Sequence, residues 1–168
     1  MNNLQKFIRS VDKWDNNFSS AKTVKRNYKV CRYQATDEDA KEAYQILNKY
    51  VFDNGLDPIL LAIHRRNGYW GSCHAGYTKE EYRCTHIRLT DWFETRSSFI
   101  ETIAHEMVHQ FQWDILSNER DNQGLGPIMS HGPSFFAWRP VLAEYDIPLT
   151  KWYPFSTIQQ GVKHGRRS

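Results

Sequence analysis

The sequence predicts an α+β fold, a three-stranded antiparallel sheet packed against one long, largely buried helix with further helices at its flanks. Three observations predict it. Three β-type runs follow one another between positions 59 and 90 with short links, the pattern of an antiparallel meander. The stretch after them, from Ser98 to Leu116, holds neither Gly nor Pro and repeats apolar residues at helical spacing. A second capped helical pattern precedes the strands. At 168 residues the chain is long enough for one domain with a sizeable core.

In chain order, Leu4, Phe7, Ile8, Val11 and Trp14 mark an amphipathic helix over 3–14. A Ser/Asn-rich loop at 16–23 and an extended segment at 28–34 follow. Thr36-Asp37-Glu38-Asp39 opens the next helix, with acidic residues where the helix dipole favours them. Its apolar stripe is Ala43, Tyr44, Leu47, Tyr50 and Val51, and Asp53-Asn54-Gly55 ends it. Strands are expected at 59–65, 69–77 and 82–90, the first closed by an Asn67-Gly68 turn. Ser98 and Glu101 form a capping-box pattern for a helix over 98–117. A glycine-rich loop through 123–130 then leads to a last helix, from Pro133 to Tyr145. The expected organisation is a basic N-terminal extension over 1–35, a central domain over 36–150 and a basic tail over 151–168.

The chemistry concentrates in His105-Glu106-Met107-Val108-His109, an HExxH box within the long helix. Residues four apart share a helix face, so both imidazoles can point at one metal ion. Glu106 can reach a metal-activated water without ligating the metal, as a general base must. Two histidines and a glutamate in a buried turn are costly unless something satisfies them, and a metal would. The plain alternative is an amphipathic helix whose histidines serve only packing.

A catalytic zinc takes three protein ligands and keeps one position open. A metzincin continuation would need Gly at 112 and His at 115, where this chain has Gln112 and Ile115. A thermolysin-like arrangement would use a downstream glutamate, for which Glu144 is the candidate, since Glu119 falls in a polar stretch. His131 is the better candidate, placed just ahead of Pro133 and the last helix.

Together, Trp70-Gly71-Ser72-Cys73, Ile87-Arg88-Leu89-Thr90, the HEMVH box and His131-Gly132-Pro133-Ser134-Phe135 form an ordered set. This set resembles the SprT-like metalloproteases, the family of Spartan and its relatives, over residues 40–145. The resemblance implies a zincin-like minimal metalloprotease with one Zn2+ per chain on His105, His109 and His131 and Glu106 as base. It also implies a protein substrate, bound to or crosslinked with DNA. Many bacterial members end in a four-cysteine zinc ribbon, whereas no cysteine follows Cys84 here. The expectation is therefore a bare, monomeric zinc metalloendopeptidase domain. The rival is a non-catalytic, zinc-stabilised binding or assembly module, of viral origin among others. The retained Glu106 speaks against the rival, because a structural site needs no base beside an open position.

Net charge is +3, which permits nucleic-acid binding without demanding it. Basic residues gather at the two ends, and Lys22, Lys25, Arg26, Lys163, Arg166 and Arg167 are the candidate contacts to single-stranded DNA. Tyr28, Tyr33, Trp152 and Tyr153 interleave with them as stacking platforms. A solvated basic surface is the plain alternative. Cys31, Cys73 and Cys84 are an odd set with no ribbon spacing, as in a reducing compartment. No apolar run suits a membrane span, and the N-terminus is too polar for a secretory signal. The expected location is the cytoplasm, that of a host if the source is viral. His64, His74 and His86 fall on predicted strands, where cross-strand pairing explains them better than a second metal site.

Overall fold

A computed structural model describes residues 31–65 and 70–149. The helix expected over 3–14, the Asn67-Gly68 turn, the tail and the six basic candidates for DNA contact lie outside the described residues.

The described residues open with a short strand β1 (Tyr33–Gln34) and helix α1 (Asp37–Tyr50). Thr36 caps α1 in a capping box, accepting from the Asp39 amide while the Asp39 carboxylate accepts from the Thr36 amide. Ala40, Ala43, Tyr44 and Leu47 face inward, whereas Tyr50, assigned to the apolar stripe by spacing, is exposed. Asp53 and Asn54 end the helix in the left-handed region, and Asn48 pins the turn by exchanging two hydrogen bonds with Leu56.

Strands β2 (Leu60–His64), β3 (Gly71–Thr78) and β4 (Glu81–Thr90) form a three-stranded sheet in the order β2-β4-β3. β3 and β4 are antiparallel, but β2 runs parallel to β4, so the sheet is mixed and the expected meander is corrected. β4 takes the centre of the sheet. The physical reason lies in β4 itself. Ile87 and Leu89 are fully buried, and a β2-β3 hairpin would leave them on an edge strand. The β3-β4 turn places Lys79 and Glu80 at positive φ, as a two-residue hairpin requires. A small ladder pairs β1 with β5 (Trp92–Phe93), a strand the sequence did not signal.

Helix α2 (Arg96–Phe111) starts at Thr95, not at the expected Ser98. Thr95 Oγ1 accepts from the Ser98 amide, so Ser98 occupies the third helical position and the Ser98/Glu101 box does not form. From Thr102 to Phe111 every α2 residue is buried. The helix then widens into a π-helical turn, Gln112–Ser117, before α3 (Asn118–Asp121). This turn is fastened to the hairpin. Trp113 Nε1 donates to Gly76 O, Asp114 accepts from the Cys84 amide, and Asn118 bonds both backbone groups of Tyr82. The single last helix is corrected to two short ones, α4 (Pro133–Phe136) and α5 (Arg139–Ala143). Pro140 explains the break, since it has no N–H and its ring clashes with the carbonyl four residues back.

Candidate metal centre

α2 delivers His105 and His109 from consecutive turns of one face, as their spacing dictates. His131 arrives from the loop ahead of α4. The His131 Nε2 lies 3.0 Å from His105 Nε2 and 3.2 Å from His109 Nε2. All three residues are buried, and one ligand atom of each lies within 4.8 Å of the others. Among the described residues this is the one such group. Glu144 and Glu119, weighed as alternative third ligands, are exposed and outside it.

The contacts are poor hydrogen bonds and good coordination geometry. Gln112 decides this. Its Nε2 donates to Ser130 O and to Ser134 Oγ, which fixes the amide orientation because a carbonyl can only accept. Gln112 Oε1 must then accept from His109 Nδ1, 2.8 Å away. A neutral His109 therefore presents a lone pair at Nε2. His131 Nε2 carries at most one proton and cannot donate to both neighbours. Nitrogen lone pairs converging in a buried space repel unless a cation sits between them. A tetrahedron on zinc–nitrogen bonds of about 2.0–2.1 Å has edges of about 3.3 Å, close to the spacings found. The donor set thus fits a divalent metal of the zinc type. Several first-row metals accept imidazole, so the donors leave the metal's identity open.

Phe135 walls the cluster. Its ring centroid lies 4.7 Å from those of His105 and His109 and 4.8 Å from that of His131. One aromatic ring therefore fixes three imidazole orientations and keeps one side dry. Glu106 is fully buried on the same helix. It meets β3 at Gly71, where a Cβ would fall 3.2 Å from Glu106 Oε1 and 2.9 Å from Thr102 Cγ2. Only a glycine lets the strand lie this close to the carboxylate. Cys73, two residues on, has its thiol pushed well up, first by its hydrogen bond with Cys84, then by burial, with Glu106 a smaller contributor. Both thiols are free and buried.

The structure brings His105, His109 and His131 together, with Glu106 on the same helix. Sequence reasoning missed Gln112, which had served only to exclude the metzincin pattern. It also missed Ser130, Ser134 and Gly71 as supports. Gly71 and Ser134 lay inside the quoted motifs, but nothing in the sequence tied Gln112 to His109 and the His131 loop.

No family model, curated protein or solved structure matches the chain. The SprT-like resemblance accordingly rests on the motifs themselves.

Proposed function

We propose that this protein is a zinc-dependent metallopeptidase of the SprT-like type, with one metal on His105, His109 and His131 and Glu106 as general base. The observation that carries the reading is the buried convergence of three imidazole nitrogens, two from α2 and one from the loop ahead of α4, beside a glutamate buried on α2. Three histidines with no fourth side chain in the group among the described residues leave a position open for substrate chemistry, which favours catalysis over a structural staple. When bound, zinc would polarise a scissile carbonyl and acidify a water molecule. Glu106 takes the proton from the attacking water and returns it to the leaving amine. Gln112 holds His109 in the tautomer that offers Nε2 and ties it to the His131 loop. Phe135 and β3 exclude water from the imidazoles and the carboxylate. The proposed substrate is protein, and the motif resemblance adds protein bound to or crosslinked with DNA.

The test compares zinc-loaded wild type with Glu106→Gln on casein and on a DNA-binding protein, with and without single-stranded DNA. Wild type is expected to cleave, with Glu106→Gln slower by about 10²–10⁴-fold at unchanged metal content. Stimulation by DNA supports the DNA-linked substrate, and indifference to it leaves a general peptidase. Absence of cleavage by wild type holding one metal would replace this reading with the non-catalytic module.

A further inference from the structure

The three remaining histidines of the described residues sit together on the other face of the sheet. Ile87, Leu89 and Cys73 point inward, so strand alternation puts their neighbours on the opposite face, where His64, His74, His86 and Arg88 are half-buried and Ser72 and Thr90 are buried. Register places Ser72 opposite Arg88, His74 opposite His86, Ala62 beside Arg88 and His64 beside Thr90. Arg88 is therefore the centre of this face, with small residues on both sides and imidazoles around it. Arg88 Nε donates to His64 Nε2 at 3.1 Å, and among the described residues no acceptor takes the two terminal nitrogens of the guanidinium. The His74 and His86 rings stack at 4.2 Å, 8° from parallel. Hydroxyls orient them, with Ser72 Oγ 2.9 Å from His74 Nε2 and Thr85 Oγ1 3.0 Å from His86 Nδ1. Thr90 Oγ1 is buried without a hydrogen-bond partner.

The charge balance is one-sided. Among the described residues the ion pairs are those of Arg83, and no carboxylate pairs with Arg88 or with these histidines. The groups facing His74 are His86 and His64 from β4 and β2, and Arg88, all of one sign. Like charges set opposite each other on a sheet destabilise it. Among the described residues this face gathers four cation-capable groups and no acid, so an external anion would meet no competing carboxylate there. The donor set of a guanidinium fork, imidazoles and hydroxyls matches tetrahedral oxyanions. Among the described residues no three ligand atoms converge here as they do at the centre on α2, so the donor set suits an anion better than a metal.

We propose that the outer face of the sheet is a phosphate-binding site centred on Arg88, with His64, His74 and His86 as its further donors. The ligand is a phosphate group, carried either by a small phosphate or by a nucleic-acid backbone. Burial and the neighbouring cations hold His74 and His86 below the ordinary imidazole value. An anion reverses the second cause, so occupancy rises as pH falls and imidazoles become donors.

The experiment uses the full chain at pH 6 and pH 8 with two probes, pyrophosphate followed by calorimetry and a labelled single-stranded oligonucleotide followed by anisotropy. Histidine ring signals in NMR report the site directly in wild type. At pH 6 pyrophosphate is expected to shift the His64, His74 and His86 signals, with binding at least about tenfold weaker at pH 8 as the imidazole protons leave. Arg88→Gln and, separately, His74→Asn are expected to weaken binding by about tenfold or more while melting temperature is kept. Binding of both probes indicates a backbone phosphate, and binding of pyrophosphate alone a small phosphate. The proposal is overturned if wild type at pH 6 binds neither probe. It is also overturned if binding persists unchanged in both variants, or vanishes on replacing Lys22, Lys25 and Arg26 instead. Its failure leaves the metallopeptidase reading untouched, because none of these residues touches the metal centre.

Discussion

Two groups of three histidines occupy this domain on opposite sides of one sheet, and they differ in everything except residue type. His105, His109 and His131 are buried, with nitrogens converging at 3.0 and 3.2 Å and one tautomer fixed by Gln112. His64, His74 and His86 are half-buried, two of them stacked face to face and one bonded to an arginine. A metal centre is thus made by desolvated lone pairs aimed at one point, and a count of histidines does not reveal it. A helix supplies that convergence through its four-residue repeat and a loop completes it. A sheet spreads neighbouring side chains about 5 Å apart in near-parallel array, which suits stacking and anion contact.

The largest expected effect separates the groups outright. With zinc at a hundred times its Kd, wild type should gain about 2.7 kcal/mol of stability, read as a rise in melting temperature. His131→Ala should abolish that rise, and His74→Ala should keep it. Loss in both variants would mean the two groups are not independent.

A smaller effect tests orientation. Gln112→Met removes the acceptor for His109 Nδ1 and the ties to Ser130 in the His131 loop and to Ser134 in α4, and should weaken zinc binding about 10–100-fold. Gln112→Glu keeps the acceptor and should retain most of the affinity, measured against a competing chelator. Equal losses in the two variants would assign Gln112 to loop anchoring alone.

The smallest effect concerns burial on α2 that no metal compensates. Burial pushes the Glu101 carboxyl from 4.5 up to about 7, and one of its oxygens is buried without a hydrogen-bond partner. The folded state holds this proton more tightly than the unfolded chain does. Stability is therefore lost as pH rises from about 4.5 to about 7, then levels off. Glu101→Gln should be the more stable protein at pH 8 by about 1–2 kcal/mol, after allowance for solvent screening. The advantage should shrink near pH 4.5 in chemical denaturation. An advantage independent of pH would point to packing instead of charge.

Much of the inner group was legible in the sequence. A four-residue spacing fixes two ligands on any helix, and the glutamate between them follows from the same geometry. Thr36 and the acidic turn after it marked the start of α1, because capping is a local event decided by adjacent residues. His131 was legible as a candidate only, since it reaches the site across a loop. The outer face was legible in part. The cross-strand pairing of His74 with His86 was expected and the register bears it out, but the place of His64 depends on β2 lying beside β4, and hairpin reasoning from short links placed β2 beside β3. The start of α2 moved to Thr95 for a related reason, as two cap patterns overlapped and packing chose between them. Gln112 acquired its role through a π-helical turn that no periodicity announces. The sequence alone determined which residues could act within one helical turn or one cap, because such geometry is fixed by bonds a few residues long. The tertiary structure decided strand order, the closing of the His131 loop and the choice of partners for Arg88 and Gln112. Those depend on which surfaces are buried against which, a property of the whole core.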